Sequence, residues 1–218
     1  MMDYAAARLN MVESQIRPNR VTDPRILTAM AELPRENFVP KPLRGIAYVD
    51  EDIHIGGGRY LMEPMVLARL VQAADIGPSD VVLEIGTGTG YGAAVMSRLA
   101  STVVALESDP DLARTATRVL GDLGIDNVAV VEGPLAMGYP RQAPYNVVVF
   151  GGAVEHIPPA ISDQLAEGGR LVGVLMPPGQ PGKAVLGIRA SGVVSTRIIF
   201  DAATPPLPGF TLERGFVF

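Results

Sequence analysis

The chain has 218 residues, 48% of them apolar, with a formal net charge of −5 and no basic stripe. That suits one globular domain with a sizeable core and argues against a general nucleic-acid binder, because counterion release needs clustered Lys and Arg. The absence of cysteine excludes disulfide and thiolate chemistry, and with only two histidines, His54 and His156, it argues against a zinc site, so no metal is expected. The opening "MMDYAAARLN" lacks a basic start followed by an apolar core, and no uncharged apolar run approaches the roughly 20 residues of a spanning helix. The expectation is a soluble, cytoplasmic protein with no membrane partner.

In chain order, "TDPRILTAMAEL" predicts a helix with Asp23 as N-cap, Pro24 at the first helical position, and Ile26, Leu27, Met30 and Leu33 on one stripe. "LPRENFVP" ends it. The stretch "GGGRYLMEPMV", residues 56–66, begins with three glycines that permit a sharp turn or a close backbone approach. Glu63 and Pro64 then open an apolar-striped helix through "MVLARLVQAA" to the turn "DIGPSD". Residues 1–79 are therefore expected to form an N-terminal helical cap with a glycine loop, and residues 80–218 the core.

From Asp80 the rhythm is strand, loop, helix. "VVLEI", "TVVALE", "NVAVV" and "NVVVFG" are short β-branched runs, with "GYGAAVMSRLA", "DPDLARTATRVLGDLG" and "IPPAISDQLAEGG" as helical segments between or after them. Continuous apolar strands separated by helices predict an α/β fold with a doubly wound, mostly parallel sheet, which binds ligands at the carboxyl ends of its strands. "RLVGVLM", "AVLGIRA" and "VVSTRIIF", joined by "PPGQPGK" and "ASG", predict an antiparallel C-terminal edge. "ATPPLPGF" reads as a Pro-rich connection to a last strand.

The most informative stretch is "VVLEIGTGTGYGAA". A strand ends at Ile85, Gly86, Gly88 and Gly90 alternate, and a helix begins, so backbone N–H groups at a helix N-terminus face a ligand. Gly88, Gly90 and Ala93 fit the dinucleotide pattern G-x-G-x-x-A, with Glu107 19 residues after Gly88 near a strand end. Glu84, two residues before the first glycine and so expected near the mouth of the loop, favours S-adenosylmethionine instead: a carboxylate there repels a pyrophosphate and attracts an ammonium and a sulfonium. Glu107 would then accept from two ribose hydroxyls. The bland alternative is that the glycines serve only close helix–strand packing.

With these motifs in view, the sequence resembles the protein-L-isoaspartate O-methyltransferase family of class I methyltransferases. The resemblance is carried by "VTDPRILTAMAELPRENFVP", "VLEIGTGTGYGAAVMSRL" and "IPPAISDQLAEGGRLV". It implies a seven-stranded, Rossmann-like methyltransferase sheet and methyl transfer from S-adenosylmethionine to isoaspartyl-containing proteins or peptides. Glu84, Gly86, Thr87, Gly88 and Glu107 fall at cofactor-binding positions, and Thr89, Gly90, Ser108, Glu132 and Gly133 complete the candidate set. Two departures stand out. The family's Thr-Ile-Ser run before the proline is here Tyr60, Leu61 and Met62, followed by Glu63, and Met62 has no hydrogen to donate. In "EGPLAMGY" Pro134 stands where the family has an acid that reads adenine, leaving Glu132 as the nearest substitute.

Carboxyl methylation is an in-line displacement by an oxygen already ionised at neutral pH, so neither a general base nor a triad is expected. A lost positioning hydroxyl costs roughly 1.5 to 3 kcal/mol, about one to two orders of magnitude in rate. Tyr60, Met62 and Glu63 are thus the candidate residues on the methyl-transfer side, a more apolar face than the resemblance implies. That face leaves open a small-molecule acceptor, or cofactor binding without turnover.

Overall fold

The computed structural model describes residues 3–211. The N-terminal part carries α1 (Tyr4–Met11) and α2 (Pro24–Glu32). Asp23 caps α2 as the sequence predicts, its Oδ1 accepting from the Arg25 N–H at 2.8 Å with Pro24 in the first turn. The stripe of Ile26, Leu27 and Met30 is buried, as is Leu33 just beyond it. Next comes a hairpin of β1 (Ile53–Gly56) and β2 (Arg59–Leu61), paired antiparallel, and then α3 (Pro64–Ala74).

The remainder alternates strand and helix: β3 (Val81–Ile85), α4 (Tyr91–Ser97), β4 (Thr102–Glu107), α5 (Pro110–Asp122), β5 (Val128–Glu132), β6 (Tyr145–Val154), α6 (Pro159–Ser162) and β7 (Leu165–Leu175). Two more strands, β8 (Lys183–Ala190) and β9 (Val193–Asp201), complete a seven-stranded sheet of order β5-β4-β3-β6-β7-β8-β9. The pairings from β5 across to β7 are parallel, and those of β7 with β8 and β8 with β9 are antiparallel. This is the mostly parallel sheet with an antiparallel edge that the strand patterns predict. Strand order reverses between β3 and β6, so the crevice outside their carboxyl ends is the topological switch point, where open sheets of this kind bind ligands.

One segment differs from expectation. "IPPAISDQLAEGG" contributes a single helical turn, because β7 already begins at Leu165 opposite Tyr145. Paired Pro158 and Pro159 start a helix readily, but Gly168 at φ 75° and Gly169 close behind cannot prolong one.

Alternation along each strand builds two core layers. Val82, Val103, Ala105, Val147 and Val149 face the cap, where they share a cluster with Met11, Ile16, Met30, Phe38, Leu70 and Tyr91. Leu83, Ile85, Val104, Leu106, Val148 and Phe150 face the other way, against Ile161, Leu171, Leu207 and Phe210. Both faces are covered, which is why the strands read as unbroken apolar runs. The "ATPPLPGF" segment folds back over the strand ends: Pro206 bridges to Ala153, and the Leu207 N–H donates to the Ala153 carbonyl at 2.7 Å. The strand expected after it falls on residues 212–218, outside the described residues. Among the described residues no helix is long and apolar enough to cross a membrane.

Candidate active site at the switch point

The loop after β3 is pinned from below, since the N–H groups of Gly86 and Thr87 both donate to the Leu106 carbonyl at the end of β4. Glu84, on β3, is only 2% exposed. Its carboxylate accepts hydrogen bonds from the Thr87 hydroxyl and the Ala93 backbone N–H, in the space that a Cβ on Gly92 would fill. The residue expected at the mouth of the loop therefore sits deeper, against the first turn of α4. Burial pushes its pKa up to about 7, and nearby Glu107 adds to the rise, while the bonds from Thr87 and Ala93 oppose it.

Glu107, the last residue of β4, is fully buried. One oxygen, Oε2, accepts from the Gly88 N–H at 2.7 Å, and the other, Oε1, accepts from the N–H groups of Ser108 and Asp109 at 2.7 and 3.1 Å. Oε1 also receives Nη1 of Arg59 at 2.6 Å, in an ion pair with both side chains almost wholly out of water. Arg59 reaches there from the hairpin, and its Nη2 donates to the Gly86 carbonyl at 2.9 Å. Gly86 has φ 81°, and a Cβ on it would lie 2.7 Å from that Nη2, so glycine is needed both for the turn and for the guanidinium to pass. Gly57, at φ 56°, seats the hairpin tip directly on the Asp109 carboxylate.

Tyr60, Leu61 and Met62 meet Glu84, Gly86, Thr87, Gly92 and Gly151 around a cavity of about 20 Å³, room for roughly one water. Met62 is buried, whereas Tyr60 is exposed at its ring and packs edge-on against His54, its cross-strand partner, with centroids 5.2 Å apart. The Met62 carbonyl is held at 2.7 Å by Nη2 of Arg35, whose Nε donates to the Ala47 carbonyl, also at 2.7 Å. Arg35 is fully buried and lies over the Tyr91 ring, 4.7 Å from its centroid.

Glu63 does not line this cavity. Its N–H donates to Asp52, which also accepts from the Thr204 hydroxyl, each at 3.0 Å. Burial, then the charges of Asp50 and Asp52, push the Glu63 carboxyl up to about 7.

The other candidates scatter around the site. Thr89 donates to the Phe38 carbonyl at 2.5 Å and so faces the cap, and Gly90 approaches Ala116 and Leu120 of α5. Ser108 and Glu132 are exposed at the ends of β4 and beside it in β5, and the Gly133 N–H donates to the Glu107 carbonyl at 3.0 Å. Two residues that sequence reasoning passed over, Arg59 and Arg35, hold the loop in place. The available signal was an arginine between a glycine run and an apolar run, and another between two apolar segments; neither names its partner. Larger hollows border the site, one of about 380 Å³ lined by Gly57, Gly58, Arg59 and Leu207 and one of about 480 Å³ reaching Ile55 and Thr89, whereas one of about 400 Å³ beside Pro24, Thr28, Glu32 and Arg98 shares no residue with the glycine loop.

The family model for protein-L-isoaspartate(D-aspartate) O-methyltransferase matches residues 7–186. A relative from Koribacter versatilis named protein-L-isoaspartate O-methyltransferase is 42% identical over 178 residues, covering 82% of this chain and 79% of that one. One of the same name from Methanoculleus marisnigri is 43% identical over 170 residues, covering 78% and 77%. A solved protein-L-isoaspartate O-methyltransferase superposes with a TM-score of 0.81 at 28% identity, over 93% of this chain and 66% of that one. A Plasmodium falciparum structure holding S-adenosyl-L-homocysteine shares the fold, with a TM-score of 0.77 at 18% identity over 92% and 97% of the two chains. A family match spanning most of the sequence, on a glycine loop set at the switch point of the expected sheet, means that the chain belongs to the protein-L-isoaspartate O-methyltransferase family.

Proposed function

We propose that this chain is an S-adenosylmethionine-dependent methyltransferase that esterifies isoaspartyl carboxylates in proteins and peptides, and that it works in the cytoplasm. The observation that carries the reading is the meeting of Glu84, Gly86 and Thr87 with Tyr60, Leu61 and Met62 around one cavity at the switch point. The donor set fits the cofactor in kind: two buried strand-end acids suit a cation and a pair of hydroxyls, and they would repel a pyrophosphate. When bound, S-adenosylmethionine supplies a methyl carbon activated by a positively charged sulfur.

The chain's own residues bind and orient. Ionised Glu84 would draw the positive end of the cofactor toward α4, Glu107 would accept the ribose hydroxyls, and Gly86 to Gly88 would let the backbone come close. Ser108, Glu132 and Gly133 would hold the adenine. Tyr60 and Met62 form the acceptor side, with Arg35 fixing the Met62 backbone. The acceptor carboxylate is ionised at neutral pH, so no group of the protein has to take a proton from it. Rate comes from positioning and from excluding water. Labelled S-adenosylmethionine with an isoaspartyl peptide should give base-labile methylation, and the matching aspartyl peptide should give none. Equal labelling of both, or of neither by protein that binds the cofactor, would remove isoaspartyl specificity.

The position of Glu84 sets a pH dependence. A carboxyl near pKa 7 must lose its proton to favour a cationic ligand, so affinity should climb between about pH 6 and 8, approaching tenfold per unit below the pKa, and then level. Titration with S-adenosylhomocysteine, whose ammonium remains, measures it. Glu84→Gln should flatten the curve, and a flat wild-type curve would count against Glu84 as the anchor. The same shift makes the folded state hold a proton that the unfolded chain has lost. The stability Glu84 contributes is therefore complete below about pH 4.5 and declines as pH rises toward 7.

A further inference from the structure

The hairpin lies along the length of the nucleoside cradle. Gly57 touches Asp109, Ile55 Cδ1 stands 2.6 Å from where a Cβ of Gly88 would be, and Arg59 bridges the Glu107 carboxylate and the Gly86 carbonyl. Leu207 also covers Gly86, beside Arg59, and Gly152. Between the hairpin's end and the glycine loop the cavity is about 20 Å³, far less than the roughly 300 Å³ or more of an ordinary small-molecule site, while a separate hollow of about 380 Å³ borders Gly57, Gly58, Arg59 and Leu207. Arg59 Nη1 sits on Oε1 of Glu107, one of the two oxygens to which the cofactor reading assigns the ribose hydroxyls.

We propose that Arg59 is a competitor for the cofactor, a plug carried on the β1–β2 hairpin whose guanidinium holds the ribose position until the nucleoside displaces it. The inference rests on the cofactor reading above. Glu107 is suited to the exchange, since its three backbone donors persist whichever partner occupies the remaining lone pairs. Gly56, Gly57 and Gly58, all at positive φ, supply a tip that can swing without steric cost. Apparent affinity falls by the fraction of molecules with the hairpin open, so removing the plug raises it.

The test is calorimetric titration of wild-type protein and Arg59→Gln with S-adenosylhomocysteine, each first checked for a cooperative thermal transition. The variant should bind about tenfold more tightly or better. In stopped flow, the wild-type binding rate should level off with ligand concentration, at the rate of hairpin opening. Equal or weaker binding by a folded Arg59→Gln would overturn the plug while leaving the cofactor reading intact. A wild-type rate that rises linearly throughout would overturn it independently of the variant. Binding by neither protein would remove the cofactor reading and the plug together.

Discussion

Glu107→Gln is expected to lower the unfolding free energy by about 3–5 kcal/mol and to abolish measurable S-adenosylhomocysteine binding. The reason lies in what the substitution strands. Arg59 is 3% exposed, and its Nη1 meets Oε1 of Glu107 at 2.6 Å, so a neutral amide leaves a buried guanidinium without a counter-charge. The amide also presents donors toward backbone N–H groups of Gly88, Ser108 and Asp109 that now all donate to the carboxylate. Arg59→Gln should cost less, because Glu107 keeps those three donors after the arginine is gone. Urea unfolding of the two single variants and the double variant measures the asymmetry. The double variant should recover part of the Glu107→Gln loss, since it removes the stranded charge. A Glu107→Gln loss below about 1 kcal/mol would mean that the ion pair contributes little to the fold.

The two substitutions also separate roles at one carboxylate. Glu107→Gln removes both the plug's seat and the acceptor for the ribose, so it lowers affinity, whereas Arg59→Gln removes only the plug. Opposite directions of change from the two halves of a single ion pair are hard to obtain from a general loss of structure.

The sheet was legible in the sequence because its strands are buried on both faces. Val81–Ile85, Thr102–Glu107 and Tyr145–Val154 read as largely apolar, β-branched runs, and glycines with a helix start follow the first of them. Asp23 and Pro24 marked a helix start whose chemistry is local, and it formed there. The hairpin was not legible. Its strands are four and three residues long, too short for a periodic signal, and Arg59 puts a charged residue at a buried position of the second. What stabilises Arg59 in a buried site is a carboxylate 48 residues away, and no local pattern encodes such a pairing. The depth of Glu84 was hidden for a related reason: it depends on Gly92, which has no side chain to keep the carboxylate from turning against α4.

Arg35 is the second residue whose replacement should have a large effect. Its Nε and Nη2 hold the carbonyls of Ala47 and Met62, one before the hairpin and one just after it, so it ties together the two ends of the segment that covers the site. Burial lowers its pKa, opposed by the neighbouring Tyr91, Tyr48 and Asp52, but an arginine keeps its charge through any ordinary shift. Arg35→Met preserves most of the buried stem yet leaves two enclosed carbonyls without donors, at about 1–3 kcal/mol each, so a loss of about 2–6 kcal/mol is expected in urea unfolding. Arg35→Lys should fall between, since one ammonium cannot reproduce a fork that spans both carbonyls. In protein still folded, the Met62 backbone is free to move while Glu84 and Glu107 are untouched. The KM for an isoaspartyl peptide should therefore rise about tenfold, with S-adenosylhomocysteine affinity held within about threefold. Equal losses of peptide and cofactor binding would instead mean that Arg35 supports the whole crevice rather than its acceptor side.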